Sequence, residues 1–274
     1  MVALHSEAKP IIDHYRLQRL TTEGFPLYVG ASCVGETPNL LINLVVTGIG
    51  QLAMAAAVGW LAGRQENTKS AWLNLGTAGH LDATLGEIFR VAQCTNADDH
   101  SAHLPPLVSR WQGEIASLQT VDRAMTDYPP VAMVDMEAHA FFGTACRFAP
   151  AELVQSLKVV SDNQGTDLDT LSGEMFSQLV GAHTEKIVDF IEGLAGLAAV
   201  LPKTDPAILE FQQMMSGRRL TVNQRCEIES FAQDLINLGQ VEALSLLAIQ
   251  YEQPKALIAA MRAESDTHLP KLHD

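Results

Sequence analysis

The stretch LINLVVTGIGQLAMAAAVGWLAG, residues 41–63, decides how the chain is read. From Val45 to Gly63 it carries no charge for 19 residues, a length that permits a membrane helix. Its internal order argues against one. It opens with β-branched residues, breaks at Gly48 and Gly50, and then turns Ala-rich. A buried strand, a tight turn and a close-packed helix account for all three parts.

The same alternation runs outward in both directions. MVALHS (1–6) reads as a short buried strand, and EAKPIIDHYRL (7–17) as the start of a helix. Residues 21–37 are rich in Gly, Thr and Pro and read as a hairpin or loop. SAWLNLGTAG (70–79) reads as a strand ending in a Gly turn, and EIFRVAQCT (87–95) and GEIASLQTV (113–121) as further strands. VAMVDM (131–136) leads into the helix EAHAFFGTACRF (137–148), with Phe141 and Phe142 as core. SLKVVSD (156–162) is a strand, and residues 169–198 read as helical. Short apolar strands alternating with helices predict an α/β domain, a three-layer αβα arrangement around a central mixed sheet.

After LPKTDP (201–206) the pattern changes. Residues 207–263 show apolar positions at three- and four-residue spacing, with Thr221 as an N-cap and Gly239 and Pro254 as breaks. The reading is a catalytic domain over 1–200 and a helical C-terminal extension over 201–274. Packing against the core or a second subunit is the expected role of that extension. From 203 to 274 it holds 7 basic and 10 acidic residues, so it offers no cationic surface.

Composition narrows the partners. The 274 residues are 47% hydrophobic, ample for a large core, and the formal charge is −14. An acidic chain without a basic patch is not built for nucleic acid or an anionic membrane. Cys33, Cys94, Cys146 and Cys226 form no CxxC pair and match a reducing, cytoplasmic compartment better than a disulfide framework. The opening MVALHSEAKPII is charged by residue 9 and does not read as a signal peptide.

The candidate chemistry sits at strand ends. These are HSEAKP with Glu7, TGIG with Gly48 and Gly50, GTAG from Gly76 to Gly79, VDMEA with Glu137, and VVSDNQGTD with Asp162. In a mostly parallel sheet these turns fall on one edge, where ligands bind. Each also has a plain structural reading. Glu7 and Glu137 suit the first turn of a helix, where acids favour the dipole, and Asp162 suits a loop cap. The glycine turns fit neither GxGxxG nor a P-loop. Asp98, Asp99, His100 and His103 match no standard metal spacing and read as a solvated loop. No nucleophile elbow is present.

Taken in order, the set resembles the nucleoside phosphorylase and nucleosidase superfamily, and most closely its methylthioadenosine/S-adenosylhomocysteine nucleosidases. The family's SGIG turn reads TGIG here, its NTGSAGG reads NLGTAGH, its VEMEA reads VDMEA, and its SD pair is Ser161-Asp162. The resemblance covers residues 1 to about 195.

What it implies is cleavage of a purine N-glycosidic bond through an oxocarbenium-like state. Asp162 would protonate the purine at N7, and Glu7 would orient or deprotonate the attacking water. Glu137 would hold the ribose hydroxyls, with Met136 under the sugar and Ile49 facing the 5′ substituent. Gly76, Thr77, Ala78 and Gly79 would line the nucleophile pocket, beside Ser161. No metal or cofactor is implied. A homodimer or higher homo-oligomer is.

Superfamily phosphorylases carry an arginine where this chain has Asn74. Phosphate favours a bidentate cation, so Asn74 points to water as the nucleophile. A phosphorylase using phosphate as co-substrate, and a catalytically weakened nucleoside-binding module, are the alternatives. Two departures stand out. His80 replaces a glycine, adding bulk near the nucleophile pocket. The segment from Cys94 to Val131 is shorter than the family's, and SLQTVDRAM (117–125) offers no counterpart to its base-stacking aromatic.

Overall fold

The computed structural model describes residues 1–20, 23–34, 37–64, 70–125, 127–130, 132–166, 170–200 and 206–268. The parts of the sequence-predicted loops and helices at 21–22, 35–36, 169 and 201–205 lie outside the described residues. Two compact units emerge, Met1–Leu201 and Pro202–Asp274.

In the first unit the glycine-broken stretch resolves as expected into strand β3 (Thr37–Val45), a turn, and helix α2 (Gln51–Ala62). Gly48 and Gly50 adopt φ of 85° and 99°. Both values lie in the left-handed region that glycine enters without strain. Ahead of it come α1 (His5–Tyr15), β1 (Gln18–Leu20) and β2 (Leu27–Val34), and β1, β2 and β3 form an antiparallel sheet. The expected strand at 1–6 is reduced to a single bridge between Val2 and Val46, because α1 already begins at His5.

The remaining strands are β4 (Trp72–Gly79), β5 (Ile88–Asn96), β6 (Ala102–His103), β7 (Glu114–Thr120), β8 (Ala132–Asp135) and β9 (Val154–Asp162). Their order is β6-β5-β7-β8-β4-β9, and β9 also pairs with β5, so five strands close on themselves. Strands β5, β7 and β8 run parallel to one another. Strands β4 and β9 are mutually parallel but run against that set. The sheet is therefore mixed, with two opposed groups of strands rather than one shared edge.

Helix α2 and helix α3 (Ala138–Ala145) supply one apolar core, in which Met54, Val58, Phe141 and Phe142 meet Val91, Leu118 and Met133. Helices α1, α4 (Gly173–Gly181) and α5 (Thr184–Val200) build the other, with Ile11, Val180, Ile187 and Phe190 against Leu75, Leu157 and Val159. Burying these side chains contributes roughly 1.5–3 kcal/mol each.

The second unit contains α6 (Pro206–Met215), α7 (Val222–Asn237), α8 (Val241–Gln250) and α9 (Pro254–His268). Phe211, Ile228, Leu235, Leu244, Leu257 and Met261 form its core. Thr221 caps α7: its Oγ1 accepts from Gln224 N at 3.3 Å, and Gln224 Oε1 accepts from Thr221 N at 3.0 Å. Arg218 donates to the Tyr251 and Ala248 carbonyls, closing the C-terminal end of α8.

Candidate active site

Glu7 lies in the first turn of α1 and is buried. Its Oε2 accepts from Leu4 N at 2.9 Å, which caps the helix. Its Oε1 accepts from Thr77 N at 2.8 Å and from Thr77 Oγ1 at 2.9 Å, which ties α1 to β4. The capping role and the placement in a site coexist in one side chain.

The VDMEA stretch divides its two acids. Asp135 braces the start of α3: Oδ2 accepts from Glu137 N at 3.2 Å and Ala138 N at 2.8 Å. Its Oδ1 accepts from Thr120 Oγ1 at 2.6 Å. Glu137 turns the other way, and its Oε1 accepts from Gly50 N at 2.8 Å. The left-handed turn at Gly48–Gly50 thus aims a backbone N–H at the Glu137 carboxylate.

Between these acids stands a residue absent from the sequence-predicted set, Lys158. It is fully buried in the middle of β9, and its Nζ lies 2.8 Å from Asp135 Oδ2. A Cβ at Gly76 would come within 3.3 Å of both Lys158 Nζ and Glu7 Oε1, so the ammonium and the Glu7 carboxylate flank that glycine. One signal was available: Lys is almost never buried unless paired, and SLKVVSD places it inside an apolar strand.

The charges shift one another. Burial alone would lower the Lys158 pKa, but Asp135, Glu137 and Glu7 together raise it above the ordinary lysine value. Burial raises the Glu137 pKa above the usual carboxylate range. The Asp135 and Glu7 charges push it the same way, against Lys158 and the Gly50 N–H.

Asp162 ends β9 opposite Gly79 of β4. Its Oδ1 accepts from Ser161 Oγ at 2.5 Å, and its Oδ2 accepts from the Tyr128 hydroxyl. Tyr128 comes from the connection between β7 and β8 and is buried. Burial, then the bond to Asp162 and its charge, push the Tyr128 hydroxyl well above the phenol range. This aromatic lies just beyond SLQTVDRAM, and nothing periodic in TDYPP marked it.

Other predicted positions fall around these groups. Ala78 and Gly79 are the last residues of β4, and Val134 of β8 pairs with Gly79 in the antiparallel sense. Met136 packs with Tyr128, Val121 and Val134. Ile49, at the tip of the TGIG turn, is 57% exposed. Asn74 is buried, and its Oδ1 accepts from Ser156 Oγ at 3.0 Å, so it braces β4 against β9.

His80, the bulky departure next to Gly79, has partners of its own. Its Nδ1 accepts from Asp82 N at 3.2 Å and Ala83 N at 3.0 Å, and its ring stacks on Phe89. His80 caps the turn after β4. In the 96–103 loop, Asp99 accepts from Ser101 N at 2.9 Å, and His103 faces His139 with ring centres 4.6 Å apart.

The fold is shared with solved nucleosidase structures. A methylthioadenosine/S-adenosylhomocysteine nucleosidase from S. pneumoniae, solved with a transition-state inhibitor, superposes with a TM-score of 0.57 at 18% identity, over 70% of this chain and 97% of its own. The apo methylthioadenosine nucleosidase of Arabidopsis thaliana gives a TM-score of 0.52 at 17% identity, over 73% and 95%. A futalosine hydrolase mutant of Helicobacter pylori gives 0.51 at 12%, over 70% and 96%. At these identities the likeness is one of fold. No family model matches the chain, and no curated protein matches it in sequence.

Proposed function

We propose that the chain is a purine nucleoside N-glycosidase, hydrolysing an adenosine-type or related 5′-modified nucleoside. The observation that carries the reading is the joint placement of Glu7, Glu137 and Asp162 around β4 and β9, with Lys158 buried among the first two.

The work divides among them. Asp162, at the strand end, delivers a proton to N7 of the departing base, so the electrons of the C1′–N bond leave on a neutral heterocycle. Glu137 accepts hydrogen bonds from the ribose hydroxyls, with one of its lone pairs already fixed by Gly50 N–H. Glu7 accepts a proton from the attacking water. Its anchoring by Thr77 and Leu4 amides holds it in one orientation. Three carboxylates near C1′ favour the positive charge that develops on the sugar.

The same charges favour water over phosphate. Lys158 is the cation beside Gly76, but Asp135 already pairs with it. A phosphate dianion would enter against Glu7 and Glu137 with no unpaired cation beside Gly76 among the described residues, and Asn74 is turned to Ser156. Catalysis within residues 1–200, a cytoplasmic setting, a homo-oligomer and independence of cofactors belong to the same proposal.

The test is a panel of purine nucleosides, 5′-thio compounds included, incubated with and without phosphate and assayed for free base and sugar product. The expected result is free base and free ribose without phosphate, with Asp162→Asn slower by about 10²–10⁴-fold. Release that requires phosphate and gives ribose 1-phosphate would establish phosphorolysis instead. No release from any nucleoside overturns the reading.

A further inference from the structure

We propose that Tyr128 is a latch on the Asp162 carboxylate, and that displacing it selects a flat nitrogen heterocycle as the leaving group. The inference rests on the reading of Asp162 as the general acid.

Both oxygens of Asp162 are engaged by donors, Oδ1 by Ser161 Oγ and Oδ2 by the Tyr128 hydroxyl. The Asp162 backbone is fixed as well, since its carbonyl accepts from His80 N at 3.0 Å. A carboxyl that takes a proton from each side is held as an acceptor. To act as an acid it must present its own O–H to the leaving group, so one donor has to depart.

The two donors are not equally free. Ser161 is a buried residue inside β9 and adjacent to Asp162 in the chain. Tyr128 belongs to a connection between strands, outside any helix or strand. Tyr128 is therefore the donor that yields. Among the described residues, the carboxyl accepts hydrogen bonds from Ser161 of β9 and Tyr128 of the β7–β8 connection, and the bare backbone of Gly79 of β4 lies close to Oδ2. Tyr128 alone of these titrates. Its hydroxyl keeps its proton through the neutral range, as burial beside a carboxylate requires.

The position of the ring carries the specificity. A Cβ at Gly79 would overlap Tyr128 Cε1 and stand 2.6 Å from Asp162 Oδ2. The absence of a side chain there is what lets ring and acid share the space. Tyr128 shares a buried cluster with Val121 and Val134, against which Met125 and Met136 pack. The ring thus fills the volume between the acid and the residue assigned to the sugar floor.

Once the phenol has left Oδ2, that oxygen takes up a proton from water, and the leaving group has to offer a ring nitrogen that receives it. The leaving group also has to lie flat against the displaced aromatic ring. A purine does both. A leaving group bonded through oxygen, without a ring nitrogen, leaves the latch closed.

The test uses the full chain and Tyr128→Phe, which keeps the ring and removes the hydroxyl. Three readouts apply. The alkaline limb of the kcat/KM profile on a purine nucleoside, where the general acid loses its proton, is expected to move up by about one pH unit, because the ionised carboxylate loses a donor. KM for the nucleoside falls, because the leaving group no longer has to displace a hydrogen-bonded phenol. Cleavage of 4-nitrophenyl riboside, whose leaving group is bonded through oxygen, rises at least several-fold relative to the nucleoside. An unchanged profile and an unchanged ratio between the two substrates overturn the proposal.

A ligand-free measurement separates this outcome from failure of the catalytic reading. The carboxyl carbon of Asp162 is titrated by NMR in both proteins. A parent that releases no base from any nucleoside defeats the catalytic reading and the leaving-group selection with it. The latch itself is then still decided, since equal titration midpoints for Asp162 in the two proteins refute it.

Discussion

Lys158 Nζ and Asp135 Oδ2 lie 2.8 Å apart, with both side chains wholly removed from solvent. The pair joins the middle of β9 to the end of β8, two strands that share no hydrogen-bonded register with each other. Breaking a buried ion pair leaves an uncompensated charge, which costs about 3–5 kcal/mol. Lys158→Met leaves Asp135, Glu137 and Glu7 without their cation, so urea unfolding should show a loss of that size at pH 7. The pH dependence follows from the raised pKa of Lys158. Its contribution is fully present below the lysine value of about 10.4 and disappears as pH rises through the higher folded value. The gap between parent and variant should therefore hold from neutral pH to about 10 and close above it.

Glu137→Gln should separate stability from activity. The folded pKa of Glu137 is raised, chiefly by burial, so the folded state binds its proton more tightly than the unfolded chain does. Its contribution is favourable below the unfolded value of about 4.3 and is lost as pH rises through the folded value. An amide does not titrate. Thermal melts should find the variant more stable than the parent at pH 7, with the advantage vanishing towards pH 4. Base release should fall about 10- to 100-fold, the worth of a hydrogen bond to a charged acceptor.

Gly79→Ala tests the space around Asp162. The new methyl would overlap the Tyr128 ring and the Asp162 carboxylate. Overpacking of this kind costs about 1–3 kcal/mol. Displacement of the acid by even about 1 Å should lower the proposed base release by about 10²-fold. Steady-state kinetics beside a denaturation curve will show whether activity falls further than stability does.

Thr221→Ala addresses the second unit alone. It removes the hydroxyl that accepts from Gln224 N and breaks the reciprocal cap of α7. A loss of about 1 kcal/mol is expected, visible as faster amide exchange in α7, with the proposed base release unchanged.

Much of the site was legible in sequence because its parts are local. Gly48 and Gly50 announced a turn, and their positive φ values meet that expectation. Glu7 and Glu137 were marked by their place at strand-to-helix junctions, which the structure preserves at the starts of α1 and α3. Asp135, the other acid of VDMEA, accepts from Ala138 N at the start of α3 and pairs with Lys158.

What the sequence by itself determined is the alternation of strands and helices, and which acids and glycines stand at the strand ends. Those follow from periodicity and from backbone freedom, both local properties. The closure of five strands, the burial of Lys158 among three acids and the arrival of Tyr128 on Asp162 were decided only by tertiary structure. Each joins residues far apart in the chain: β5 meets β9, Lys158 meets Asp135, and Tyr128 meets an acid 34 positions away. Such contacts depend on strand order and direction, which no local pattern encodes. A buried lysine, moreover, is tolerable only once its partners have been brought to it.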